Sequence, residues 1–178
     1  PRWVRAHVRA KPVSVDAIFN QSALKFRSEC SLNLVNPEIL IAGCGTGQHA
    51  IESAATWCGS KLLAVDISLA SLSYAKRKTS ELNIENIDFL HADILDLRSL
   101  NRDFDIVECV GVLHHMRDPH AGFKVLVDLV KPGGLIKVGL YSEIARSQIT
   151  RARRKASWLG AEPTDSQIRE YRRALLET

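Results

Sequence analysis

The sequence lacks the long apolar runs of a membrane protein. Among its 178 residues, no stretch approaches the roughly 20 consecutive apolar residues of a transmembrane helix, and no signal peptide opens the chain. We therefore expect a cytoplasmic protein without a membrane anchor. The composition, 46% hydrophobic and 25% charged, is that of one globular domain. Because the chain begins at Pro1 without an initiator Met, we expect a processed chain, a fragment, or the product of an incomplete gene.

Cysteine is also sparse, and its spacing matches no common metal or disulfide pattern. No C-x-x-C pair occurs among Cys30, Cys44, Cys58 and Cys109, which favours reduced, mostly buried thiols. Cys44 lies inside a glycine-rich loop, where we interpret it as a small space-filling residue rather than a nucleophile.

Basic residues are concentrated at the two ends of the sequence. Residues 37–141 carry ten Lys/Arg against thirteen acids, whereas residues 1–36 carry six against two and residues 142–178 carry eight against five. A basic flank can attract nucleic acid. No recognised nucleic-acid module accompanies the charge, so a solvated helix face is the favoured interpretation. These boundaries predict a basic N-terminal arm with a helix capped by Ser14, a central ligand-binding core, and a helical C-terminal extension.

The stretch 39–48, I-L-I-A-G-C-G-T-G-Q, is the most informative part of the chain. Four apolar residues suited to a buried parallel strand run into three alternate glycines, and a helix-compatible segment follows. Glycine suits such a turn because it tolerates positive φ and because no side chain keeps a ligand from the backbone. The dinucleotide fingerprint G-x-G-x-x-G would need glycine at Gln48. This difference disfavours a nicotinamide oxidoreductase, which stays an alternative.

Strands and helices alternate through the core. Apolar runs predict further strands at 62–66, 87–90, 104–110 and 135–141. Ser68 and the pair Asp118-Pro119 are N-cap signals for two of the intervening helices, and 131–134 predicts a turn. This alternation predicts an α/β fold with a parallel sheet of at least five strands. A ligand crevice is expected at the carboxyl ends of the strands.

The glycine loop, V-L-H-H-M at 112–116 and K-P-G-G at 131–134 occur in an order that resembles class I S-adenosylmethionine-dependent methyltransferases. The resemblance implies a Rossmann-like sandwich and S-adenosyl-L-methionine as the cofactor. G-L-Y-S-E-I-A-R at 139–146, together with the N-terminal P-R-W, resembles methyltransferase domains attached to tetratricopeptide arrays. No such repeat is present, so the array would lie outside this fragment.

The last segment departs from that family. Complete domains of the family usually end with a sixth strand and an antiparallel seventh, whereas 142–178 predicts two helices. The second helix opens at a capping box formed by Thr164 and Gln167. We therefore expect the missing strands to lie outside the fragment, or to be absent.

The predicted cofactor site combines the glycine loop with the ends of three strands. Asp66 lies 19 residues beyond Gly47, where an acid suits a ribose diol; a strand-ending Asp in an ordinary turn is the alternative. The resemblance places Ile67 and Ile94 against the adenine and Asp93 on its amino group. Cys109 and Val110 end the fourth strand and complete the site. The loop residues assigned to the cofactor are Gly43, Cys44, Gly45, Thr46, Gly47 and Gln48.

Catalysis by such a protein needs few side chains. The methyl group is already activated by a sulfonium, so the protein mainly has to align a nucleophile in line and exclude water. A weakly acidic acceptor would still profit from a base, and His114 and His115 lie beside the predicted methyl. Since adjacent residues cannot both face one point, we expect His114 to face the pocket, as base or as pocket-shaping residue. We expect His115 to bond to the backbone, and Tyr141 to line the acceptor pocket or the core.

The methyl acceptor cannot be identified from the sequence, and we expect a small molecule. The segment 111–115, G-V-L-H-H, lacks both carboxylates of the E-x-x-E-H pattern of small-RNA 2′-O-methyltransferases, which argues against a metal site. No N-P-P-Y or D-P-P-Y follows the fourth strand, so methylation of amino groups on DNA bases or glutamine finds no support. A second hypothesis is a non-catalytic or incomplete cofactor-binding module whose basic helices associate with a partner.

Overall fold

A parallel sheet organises the first of two compact units, and the second unit begins at Tyr141. The computed structural model describes residues 13–14, 17, 36–156 and 164–176. The strands are β1 (Glu38–Ala42), β2 (Lys61–Asp66), β3 (Ile87–His91), β4 (Phe104–Val110) and β5 (Val130–Gly139). Their order across the sheet is β3-β2-β1-β4-β5, with every pairing parallel. The predicted α/β, Rossmann-like sheet of at least five strands is confirmed.

The centre of the sheet is β1, because its side chains are apolar on both faces. Ile39, Leu40 and Ile41 are fully buried, as expected for a parallel strand covered from both sides. Leu40 belongs to a core cluster with Leu126, whereas Ile39 and Ile41 belong to a second cluster with Ala50. Successive side chains therefore enter separate apolar layers above and below the sheet.

Helices α1 (Gln48–Thr56), α2 (Leu69–Glu81) and α3 (Pro119–Asp128) connect the strands. The Ser68 hydroxyl accepts a hydrogen bond from the Ser71 N–H at 3.2 Å. The Asp118 carboxylate accepts from the N–H groups of His120 and Ala121, both at 3.0 Å. Both predicted N-caps are confirmed, and each satisfies backbone donors that the first helical turn leaves without an intrahelical partner. Short 3₁₀ turns follow β3 and β4 at Ile94–Leu100 and Leu113–His115.

The fifth strand differs from its prediction at both ends. It begins at Val130 and ends at Gly139, so 131–134 lies within the strand instead of forming a turn before it. Val130 pairs with Phe104 and Leu135 with Ile106. Between these two pairs β5 has four residues, whereas β4 has only Asp105. The turn-forming residues therefore produce an irregularity inside an edge strand, where proline is tolerated.

The described residues of the second unit form two helices, α4 (Ser147–Lys155) and α5 (Asp165–Leu176). The Thr164 N–H donates to Gln167 Oε1 at 2.9 Å, and the Gln167 N–H donates to Thr164 Oγ1 at 3.4 Å. The predicted capping box and helical extension are thus confirmed. The Tyr171 hydroxyl donates to the carbonyl of Ala152, which joins the two helices. None of the helices in the described ranges is both long and apolar enough to cross a membrane.

The predicted N-terminal arm and helix fall almost entirely outside the described residues. Ser14 Oγ accepts from the Ala17 N–H at 3.2 Å, in agreement with a cap at this position. Val13 pairs with Trp57 in an isolated parallel bridge. Cys30 also lies outside the described part of the chain.

Candidate active site

The glycine loop (Gly43–Gln48) joins β1 to α1 at the carboxyl edge of the sheet. Its glycines have φ values of 79°, 53° and 88°, which confirms the expected left-handed backbone. A Cβ at Gly43 would lie 2.3 Å from Val112 Cγ2, and one at Gly47 would lie 2.6 Å from Ala75 Cβ. A Cβ at Gly45 would meet nothing within 4 Å. Packing therefore requires the outer two glycines, while the middle one leaves open space beside bare backbone.

Asp66 ties this loop to the end of β2. Its Oδ2 accepts from the Gly45 N–H at 2.7 Å, and its Oδ1 accepts from the Ser68 N–H at 2.8 Å. The turn interaction that the sequence left as an alternative is therefore present. It does not exhaust the carboxylate, because each oxygen can accept a second hydrogen bond. Asp66 can order the loop and still accept from a ligand hydroxyl.

A cavity of about 700 Å³, here called the Asp93 cavity, opens beside Asp66. Ile67 and Ile94 lie on its wall, together with Leu95 and Met116, and this apolar surface suits a flat base. The Asp93 carboxylate accepts from the Leu95 N–H at 2.9 Å, which fixes it at the start of the 3₁₀ turn. Five of the residues assigned to the cofactor come together here: Gly43, Asp66, Ile67, Asp93 and Ile94.

A second cavity of about 610 Å³, here called the glycine-loop cavity, also borders Asp66. The two cavities share Gly43, Asp66 and Val112. A long ligand can therefore extend from one cavity into the other past the Asp66 carboxylate. The predicted residues that line this second cavity are Gly43, Cys44, Gly45, Thr46, Gln48, Asp66 and Val110.

Two residues assigned to the cofactor line neither cavity. Cys109 is fully buried among the apolar residues of the Leu40 cluster, because alternate side chains of β4 point to opposite faces. Its neighbour Val110, 43% exposed, lines the glycine-loop cavity instead. The Cys109 side chain therefore faces the core and neither cavity, and the assignment of this residue to the cofactor stays a prediction. Gly47 serves as the N-cap of α1 and packs against Ala75.

The histidine pair is oriented opposite to the expectation. His115 lines the Asp93 cavity, whereas His114 does not. The two Nε2 atoms are 3.0 Å apart, because the pair lies in a 3₁₀ turn whose tilted rings can converge. The expectation that His114 is the cavity-facing residue is therefore not met at the Asp93 cavity, and the catalytic roles of the two histidines stay predictions.

Tyr141 lies beyond the end of β5 and belongs to the second unit. The guanidinium carbon of Arg146 lies 4.0 Å from the centre of its ring, a cation–π contact within that unit. The interpretation of Tyr141 as a strand residue is wrong, and its role at an acceptor pocket stays a prediction.

A buried charge that is not among the residues predicted from the sequence lies next to the site. Glu108 of β4 is 1% exposed. Its Oε2 accepts from the Ser53 hydroxyl at 2.7 Å and lies 2.6 Å from His49 Nε2. Burial raises the pKa of Glu108, but these two contacts and the positive charge of Lys137 outweigh burial and hold its pKa below the usual range. A lone acid inside the apolar run F-D-I-V-E-C-V was the signal that could have identified it.

Cysteine reactivity provides a first prediction. Burial, followed by the charge of Asp66, raises the pKa of Cys44 to about 12, and burial raises the pKa of Cys109 to about 11. Only thiolates react readily, so at pH 8 iodoacetamide should alkylate the exposed Cys58 and leave both buried thiols unmodified. Peptide mapping by mass spectrometry measures this, with urea-unfolded protein as the control. Alkylation of Cys44 in the folded state would contradict the space-filling role.

Comparison with known proteins identifies the family of the described core. The profile of a family described as "Methyltransferase domain" matches residues 39–134, which span β1 to the first half of β5. An uncharacterized protein from Synechococcus is 33% identical over 79% of this chain and 34% of its own length. A ubiquinone biosynthesis O-methyltransferase from Acinetobacter baumannii is 27% identical over 75% of this chain and 54% of its own. The chain thus spans about a third to a half of these relatives.

Solved structures share the same architecture. A S-adenosylmethionine-dependent methyltransferase from Clostridium acetobutylicum is 27% identical, with a TM-score of 0.58 over 66% of this chain and 48% of that one. PKMT2 from Rickettsia typhi, in complex with AdoHcy, has a TM-score of 0.66 at 23% identity, over 79% of this chain and 28% of that one. The second similarity concerns the fold alone.

Proposed function

Because the chain belongs to the methyltransferase domain family, we propose that it is an S-adenosylmethionine-dependent methyltransferase that transfers the methyl group in line to a small-molecule acceptor. One observation carries the proposal: two cavities meet at the glycine loop and the Asp66 carboxylate. Such a pair of cavities can bind an elongated nucleoside that has a charged end. The relatives described as O-methyltransferases and S-adenosylmethionine-dependent enzymes support the same activity.

The residues present fit this cofactor. Open space beside Gly45 leaves room at the loop, and Asp66 has acceptor capacity for the ribose hydroxyls. Ile67 is 68% exposed and lines the Asp93 cavity with Ile94, so these side chains would cover the faces of an adenine. Asp93 would accept from the exocyclic amine. The sugar would thus be bound at the end of β2, and the base between residues that follow β2 and β3.

When bound, the cofactor supplies a methyl group that its sulfonium has already activated. The task of the chain is to hold an acceptor in line and to exclude water, which Val112 and Met116 assist as apolar wall residues of the Asp93 cavity. His115, which lines the Asp93 cavity, would accept the proton that a weakly acidic acceptor loses. His114 Nε2, 3.0 Å from His115 Nε2, would orient that ring.

The proposal is tested first by calorimetry with S-adenosylhomocysteine and then by turnover. Formation of S-adenosylhomocysteine from S-adenosylmethionine is measured over a panel of phenols, carboxylic acids, amines and thiols. We expect binding of S-adenosylhomocysteine and turnover with at least one hydroxyl compound. In His115→Gln the turnover rate should fall at least about 100-fold. His120→Gln, an exposed histidine in the first turn of α3, is the matched control.

The outcomes separate the competing hypotheses. An absence of S-adenosylhomocysteine binding would refute the proposed cofactor and with it the activity. Binding without turnover across the panel would favour the non-catalytic or incomplete module, in which the basic helices serve a partner. Turnover that His115→Gln leaves unchanged would remove the base from the mechanism while retaining the activity.

A further inference from the structure

Glu108 places a carboxylate where packing alone would favour an apolar residue. Its side chain is 2% exposed, and in the sheet it pairs with Ile41 of β1, the central strand. A buried charge lowers stability unless it is paired and hydrogen-bonded, and an apolar residue of similar volume often stabilises such a position better. The carboxylate therefore calls for an explanation other than packing.

The partners of Glu108 come from two elements that border the site. Ser53 and His49 belong to α1, and Lys137 of β5 places its Nζ 3.8 Å from Oε1. His49 Nε2 lies 2.6 Å from Glu108 Oε2 and is therefore closer to the carboxylate than Lys137 Nζ. This contact holds one edge of the imidazole against the carboxylate and so fixes the orientation of the ring, as carboxylates fix histidines in other sites.

His49 and Lys137 both line the glycine-loop cavity, whereas Glu108 does not. Glu52, one turn along α1 from Gln48, lines the same cavity. The cavity therefore has nitrogen donors and a carboxylate on its wall, with the charge of Glu108 buried behind the donors. A ligand group that carries both signs of charge matches this wall.

We infer that Glu108 is a positioning residue, and that His49, which it orients, determines with Lys137 the affinity for the charged amino-acid end of the cofactor. The inference rests on the proposed function. With the ribose at Asp66, which lines both cavities, and the base in the Asp93 cavity, the amino-acid end extends into the glycine-loop cavity. Its carboxylate would then meet Lys137 and His49, whose Nε2 faces Glu108 and whose Nδ1 donates when the ring carries both protons, and its ammonium would face Glu52.

Two ligands separate this end of the cofactor from the rest. Methylthioadenosine has the adenosine and thioether of S-adenosylhomocysteine but no amino-acid end. Calorimetry on the full chain should show tighter binding of S-adenosylhomocysteine. His49→Gln should lower that affinity about tenfold or more, the effect of losing a hydrogen bond to a charged group, and leave methylthioadenosine unchanged. His120→Gln should alter neither affinity.

The positioning role has its own readout. Glu108→Gln keeps the volume and an acceptor for Ser53, and it should produce the same selective loss as His49→Gln. Because Glu108 acts through His49, adding Glu108→Gln to His49→Gln should cause little further loss. Thermal unfolding shows whether the Glu108 variant is folded. Lys137→Met changes a side chain that is 61% exposed, so it tests the same cavity wall without disturbing the core. It should lower the affinity for S-adenosylhomocysteine and leave the affinity for methylthioadenosine unchanged.

Three results would overturn the inference. These are equal losses for the two ligands, an unchanged affinity for S-adenosylhomocysteine in both His49→Gln and Lys137→Met, or equal affinities of the wild-type protein for the two ligands. In the last case the adenosine site, and the proposed function, would stand. If the wild-type protein binds neither ligand, the proposed function fails and the inference fails with it.

Discussion

Asp66→Ala is expected to lower the affinity for S-adenosylhomocysteine about 100-fold or more, because two effects combine. The ribose hydroxyls lose a charged acceptor, with each such hydrogen bond contributing about 1.5–3 kcal/mol. The Gly45 and Ser68 N–H groups, now at 2.7 and 2.8 Å from the carboxylate, lose their partner, and the loop is no longer held in shape. Calorimetry measures the affinity, and thermal unfolding measures the contribution to stability.

Asp66→Asn separates those two effects. The amide oxygen can still accept from one loop N–H, but the charge and part of the acceptor capacity are lost, so we expect an intermediate affinity. Asp88→Ala, at an exposed strand position on β3, is the matched control and should bind as the wild type does. Wild-type affinity in Asp66→Ala would remove the ribose role, and the ordinary turn function of the residue would remain.

Alanine substitutions at Gly45 and Gly47 should mainly affect different properties, the ligand affinity at Gly45 and the stability at Gly47. Gly47→Ala places a Cβ 2.6 Å from Ala75 Cβ at a φ of +88°, so overpacking and left-handed strain together should lower the free energy of unfolding by about 2–5 kcal/mol. Gly45→Ala also places a side chain at a left-handed φ of +53°, but its Cβ would meet no atom within 4 Å. We therefore expect a loss of only about 1–2 kcal/mol in stability, with an affinity for S-adenosylhomocysteine at least about tenfold lower.

Urea unfolding and calorimetry on the two variants together provide the test. Each variant is the other's control, since both add one methyl group to the same loop. A Gly45→Ala protein that binds S-adenosylhomocysteine as tightly as the wild type would show that the ligand does not lie over this backbone. Equal stabilities of the two variants would contradict the packing of Gly47 against α2.

The sequence predicted the parts of the site that depend on local pattern. The alternate glycines required positive φ, and Asp66 followed at the end of a strand whose carboxyl edge borders the crevice. These inferences hold because a strand, a turn and a helix start are encoded by neighbouring residues. The link to a tetratricopeptide array, the cytoplasmic location and the small-molecule acceptor stay predictions.

Orientation was the aspect that the local pattern could not determine. The sequence placed both His114 and His115 beside the site but assigned the wrong one to the cavity. It also assigned Cys109 to the ligand, although the strand register turns that side chain into the core. A shift of one position reverses which side a residue faces, and in these places tertiary packing decides it.

By itself, the sequence determined the alternation of strands and helices, the shape of the glycine loop and the position of Asp66 at the end of β2. Each of these depends on residues close in the chain. Only the tertiary structure decided which histidine lines a cavity and that Glu108 is buried against His49 and Ser53. Ser53 and Glu108 are 55 residues apart, and such pairs meet only through the packing of α1 on the sheet. The physical reason is that a buried charge is stable only with its partners in place, and those partners become neighbours only when the chain has folded.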